Sequence, residues 1–109
     1  MRFIFFSVFT LLMVPVAAFA QQRDQDPKLR GRAIAKEFCS SCHAIGKIGT
    51  SPHVGAPPLR ALGDSFNLDE FPARLQQGIL TSGHPDMPTF KLKPRDARAL
   101  RAYLRSIQE

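Results

Sequence analysis

The sequence predicts an all-α domain of a few short helices, wrapped around a centre that the chain does not fill by itself. Three observations carry this expectation. Apolar residues recur at helical spacing in three segments, and no stretch shows convincing strand alternation. The chain has one Tyr and no Trp, while nine Pro and seven Gly punctuate it, which disfavours a strand-rich sandwich. Two irregular stretches, residues 44–58 and 81–93, are long for so small a domain unless they wrap something. At 109 residues there is room for one domain, and two Cys cannot form a framework of several disulfides.

The first twenty residues read as an export signal. Arg2 supplies a positive start, residues 3–14 are apolar except for Ser7 and Thr10, Pro15 interrupts, and Ala18-Phe19-Ala20 is an A-x-A cleavage pattern. The run is shorter than the roughly 20 residues of a spanning helix. Cleavage after Ala20 removes Arg2 alone from 15 Lys+Arg and none of the 9 Asp+Glu, leaving a charge of +5. It also leaves Met87 as the last methionine. Residues 21–27 then form a polar lead-in, and residues 28–109 form the domain. A chain this short buries a marginal core without a cofactor, metal or disulfide.

Residues 28–38 form the first expected helix, with Leu29, Ala33, Ile34 and Phe38 on one side. Gly31 lies inside it at a cost of about 1 kcal/mol relative to Ala. It is either a tolerated glycine or a place where another backbone comes close. Residues 59–66 read as a short helical turn. Residues 69–80 form the next helix, with Phe71, Leu75 and Ile79 at four-residue spacing and Pro72 in the first turn, where it is harmless. The last helix begins at Pro94, with Asp96 in its positive first turn. Its apolar stripe is Ala97, Leu100, Tyr103, Leu104 and Ile107. Arg95, Arg98, Arg101 and Arg105 form a second stripe, which is either a solvated face or a docking surface for an acidic partner.

Cys39-Ser40-Ser41-Cys42-His43 is C-x-x-C-H, the attachment signal for a c-type haem. Each thiol adds across one vinyl group, and the two intervening residues set the sulfurs over the two vinyls. His43 then falls where an imidazole can coordinate the iron. A thioredoxin-like dithiol needs a preceding strand, and here a helix precedes. A zinc site would have to recruit His53 or His84 to complete four ligands. Nucleic-acid binding is a poor fit to an exported chain without interleaved basic and aromatic residues.

Three side chains could take the sixth position on the iron: Met87, His84 and His53. Met87 is favoured because it sits between prolines, in Pro85-Asp86-Met87-Pro88, where a core-filling methionine is out of place. Pro88 stiffens the segment and lowers the entropic cost of holding a ligand. A thioether opposite an imidazole stabilises Fe(II) and leaves no open coordination site.

With these motifs the chain resembles the class I cytochromes c, over about residues 28–107. Gly31 and the Leu100-Arg101-Ala102-Tyr103-Leu104 segment match the family's crossing of terminal helices, Gly55 with Pro57-Pro58-Leu59 its Pro-x-Leu element, and Met87-Pro88-Thr89-Phe90 its M-P-x-F segment. The resemblance implies a cytochrome c fold of three to five short helices around one haem c, covalent through Cys39 and Cys42. It implies iron ligation by His43 and Met87, Tyr103 packed on Gly31, and the Pro57 carbonyl accepting the free N–H of His43. The element here reads G-A-P-P-L rather than the commoner G-P-x-L, which leaves Pro58 as the other choice. With no Trp available, Arg60 or His53 is the candidate for the haem propionates.

The expected function is that of a periplasmic, monomeric, monohaem electron carrier, not itself an enzyme. Its redox partners would present acidic docking surfaces, and it would not stay inserted in a membrane. Two alternatives are a cytochrome subunit of a periplasmic dehydrogenase or oxidase, and a haem protein with His or open sixth ligation that binds small gases.

Overall fold

The structure, a computed structural model, describes residues 26–78 and 86–109. The expected leader, Ile79 and His84 lie outside these residues. Among the described residues there are four helical elements and no strand. They are α1 (Pro27–Phe38), a 3₁₀ helix (Leu59–Asp64), α2 (Phe71–Gln77) and α3 (Pro94–Ile107).

Helix α1 starts at Pro27, one residue earlier than expected. The Asp26 side chain accepts from the Lys28 N–H, and Pro27 takes the first turn. Its buried residues are Gly31, Ile34 and Ala35, whereas Leu29 and Ala33 are exposed. The apolar side expected from the sequence is therefore displaced around the helix. The cause is the contact with α3, which is made through the smallest residue. A Cβ at Gly31 would lie 2.0 Å from the Ala99 carbonyl oxygen and 2.7 Å from Tyr103 Cβ. The glycine thus lets the two helix backbones touch, and this crossing is the principal packing of the domain.

Helix α3 begins at Pro94 as expected and buries Ala97, Ala99, Leu100, Tyr103, Leu104 and Ile107. Asp96 in its first turn pairs with Arg30 of α1 at 2.5 Å. Helix α2 is shorter than the sequence suggested, because Gly78 adopts a left-handed conformation (φ 76°) and ends it. Phe71 and Leu75 of α2 join Leu59 and Leu62 of the 3₁₀ helix and α3 in one apolar core. The chain returns to α2 where the Leu92 N–H donates to the Leu75 carbonyl.

The C-terminal turn is fastened to the 3₁₀ helix by one side chain. Gln108 accepts from the Gly63 N–H and donates to the carbonyls of Leu59 and Leu104, at 2.7, 2.9 and 2.8 Å. Gln108→Ala should cost about 1 kcal/mol and lower the melting temperature by about 4–8 °C, as read by thermal circular dichroism.

Candidate haem site

The site begins at the end of α1. Cys39 caps that helix through its N–H to the Ala35 carbonyl. The next residues close a turn in which the Cys42 and His43 N–H groups both donate to the Cys39 carbonyl, at 3.2 and 2.8 Å. This turn brings both thiols and the imidazole to one end of a cleft. Burial, reinforced by the neighbouring Cys42, pushes the Cys39 thiol up to about 11. Thioether formation consumes that proton and removes the group from titration.

The loop that follows holds His43 in one orientation. The Leu59 N–H donates to the Ala44 carbonyl, the Ser51 hydroxyl accepts from the Ala44 N–H, and the His53 N–H donates to the Cys42 carbonyl. These bonds fold residues 44–58 back beneath the Cys-x-x-Cys-His turn. His43 Nδ1 donates to the Pro57 carbonyl at 2.6 Å. That bond puts the imidazole proton on Nδ1 and leaves Nε2 as a free lone pair, the arrangement a metal-binding histidine requires. Farther along the chain, the Tyr103 hydroxyl donates to the Ile45 carbonyl, tying α3 to the start of this loop.

Cys39, Cys42, His43 and Met87 all line the same cleft, with Pro57 at its edge. Leu75, Leu100 and Leu104 contribute apolar wall, and Phe38 stacks on Phe90 with ring centroids 5.3 Å apart. Counting its open mouth, the cleft measures about 1080 Å³. An iron porphyrin is a flat and mostly apolar disc that needs this kind of lining, with two thiols at one edge and soft or imidazole donors for the iron. The donor set and the walls therefore fit a haem. No cluster of three or more His, Cys, Asp or Glu able to hold a bare metal ion occurs among the described residues.

Arg60 does not line the cleft. Its Nε pairs with Glu109 at 2.9 Å, its Nη1 donates to the Gly49 carbonyl at 3.0 Å, and so its charge is spent on the loop and the C-terminal residue. His53, the other candidate for the propionates, does line the cleft; its Nδ1 accepts from the Gly55 N–H, and its Nε2 lies 3.7 Å from Asp86. The Phe38–Phe90 pair is a wall that sequence reasoning missed. Its signal was the placement of one Phe immediately before Cys39 and another three residues after Met87.

Among the described residues, no helix is long and apolar enough to cross a membrane. No curated protein and no solved structure matches the chain. Residues 26–104 match the family described as cytochrome C oxidase, cbb3-type, subunit III. The chain therefore belongs to that family and is a class I c-type cytochrome, whose domain binds haem c covalently through Cys39 and Cys42 and transfers electrons without itself being catalytic.

Proposed function

We propose that the chain is an exported, periplasmic, monohaem electron carrier whose iron is ligated by His43 and Met87. The observation that carries this reading is the convergence of His43, oriented by the Pro57 carbonyl, and Met87 on one apolar cleft. The haem supplies a one-electron Fe(II)/Fe(III) couple. The chain's own residues set the conditions for that couple. Pro57 fixes the His43 tautomer, Leu75, Leu100 and Leu104 exclude water, and Pro88 restrains the segment that bears Met87. His43 and Met87 would both hold the iron, which would leave no open coordination site for oxygen or a substrate. The export-signal pattern of residues 1–20 and the use of C-x-x-C-H support a periplasmic location.

Met87→Ala is expected to abolish the near-infrared charge-transfer band of ferric Met–Fe ligation and to let the reduced protein bind carbon monoxide rapidly. A band that survives this substitution would assign the sixth position to another residue. Rapid carbon monoxide binding by the unsubstituted protein would favour the gas-binding reading.

A second reading, that of a subunit of an oxidase complex, is favoured by the description of the matching family. Co-purification with an integral-membrane oxidase from native membranes would support it. Recovery as a free monomer in the periplasmic fraction would support the independent carrier.

A further inference from the structure

Ala44, the residue that follows His43, is held at both ends of its backbone. Its carbonyl accepts from the Leu59 N–H at 2.9 Å. Its N–H donates to the Ser51 hydroxyl at 3.0 Å. The first bond is backbone to backbone, whereas the second depends on one side chain. The loop itself delivers that side chain. Gly49 takes a left-handed conformation (φ 104°), which turns the chain back. Arg60 Nη1 donates to the Gly49 carbonyl at 3.0 Å and holds the turn from outside. Pro52 then biases Ser51 toward extended backbone. Ser51 lies outside the lining of the cleft, so any influence it has on a haem passes through its neighbours.

We propose that Ser51 is a positioning residue for His43 and, through it, tunes the reduction potential of the haem iron. The inference rests on His43 being an iron ligand. A peptide unit is planar, so pinning the Ala44 nitrogen also fixes the His43 carbonyl and limits rotation about the His43 Cα–C bond. The 2.6 Å bond from His43 Nδ1 to the Pro57 carbonyl spans 14 residues, and its length depends on how firmly the intervening loop is held. Ala44 is 8% exposed, so water does not readily replace the hydroxyl once it is removed. A slack loop weakens the bond to Pro57, and a more weakly bonded Nδ1–H makes the imidazole a poorer donor at Nε2. A poorer donor stabilises Fe(III) less, so the potential rises.

The test compares haem-loaded Ser51→Ala, Ser51→Thr and Asp26→Ala with the unsubstituted protein. Asp26→Ala removes the cap at the end of α1 remote from Cys39, and so loosens the fold without touching the loop. In the unsubstituted ferric protein, the His43 ring resonances are expected far outside the diamagnetic range, because the ring is bound to paramagnetic iron. Ser51→Ala is expected to shift the Fe(III)/Fe(II) ratio at a fixed applied potential roughly threefold toward Fe(II), which is about 28 mV at 59 mV per tenfold. It should also speed exchange of the Ala44 amide hydrogen roughly fivefold. Ser51→Thr, which keeps the hydroxyl, should restore both values. Asp26→Ala should lower the melting temperature and leave the potential where it was. An unchanged potential in Ser51→Ala, or an equal rise in Asp26→Ala, would overturn the proposal and leave His43 ligation standing. Rapid exchange of the Ala44 amide in the unsubstituted protein would overturn it as well, with no variant required to fold. Unshifted His43 resonances would overturn the ligation reading itself, and the proposal with it.

Discussion

Cys39→Ala/Cys42→Ala protein is expected to lose most of its far-ultraviolet helical signal, along with its covalent haem. The reason lies in what would be left unfilled. Phe38, Met87 and Phe90 line the cleft together with Leu75, Leu100 and Leu104, and Phe38 is 40% exposed. Without the haem, a short chain keeps an open apolar cleft at its centre and is held by only the α1–α3 contact and the apolar core. The loop at residues 44–58 also loses the object it is expected to wrap. Folding and cofactor binding are then one equilibrium, as in small domains that depend on a metal. Intact mass should show the bare polypeptide, and circular dichroism should show a mostly unfolded chain. Native-like helicity in that bare chain would sink the expectation.

The second large effect comes from a single methyl group. Judged by helix propensity alone, Gly31→Ala should stabilise α1 by about 1 kcal/mol. The crossing reverses the sign. The new Cβ would lie 2.0 Å from the Ala99 carbonyl oxygen, and this neighbour is backbone that cannot swing aside. Relief requires α1 and α3 to separate, which loosens the packing of Ile34, Ala35, Leu100 and Tyr103 together. The expected loss is about 3 kcal/mol or more, out of the roughly 5–15 kcal/mol typical of a whole domain. That corresponds to a fall of roughly 12 °C or more in melting temperature. A melting temperature that rises would show that the helices do not meet at this glycine.

What could be read from the sequence, and what could not, follows from the range of each interaction. The Cys-x-x-Cys-His turn is local, so five consecutive residues were enough to expect haem. The start of α3 was equally legible, since Pro94 and Asp96 act within one turn. The buried side of α1 was misread because apolar periodicity favours Leu29 and Ala33, while the real contact is made by a residue with no side chain. The end of α2 was overrun because the apolar spacing continued past Gly78, whose left-handed conformation stops the helix. Of Arg60 and His53, the two candidates for the propionates, only His53 lines the cleft. The partners of Arg60, Glu109 and the Gly49 carbonyl, are remote in sequence or belong to the backbone, and neither is visible in a residue pattern.

Tyr103 gives the molecule a built-in optical reporter. It is the one tyrosine of a chain without tryptophan, and it sits buried where α1, α3 and the start of the loop below the cysteines meet. A phenol on the helix that walls the cleft would pass its excitation energy to a bound haem and be nearly dark. Any opening of this junction moves the ring away and lets it emit. Fluorescence from a single residue thus reads out separation of the terminal helices, while haem absorbance reads out the iron's surroundings. Coincidence of the two signals during unfolding would mean that the fold and its pigment let go of each other in one step.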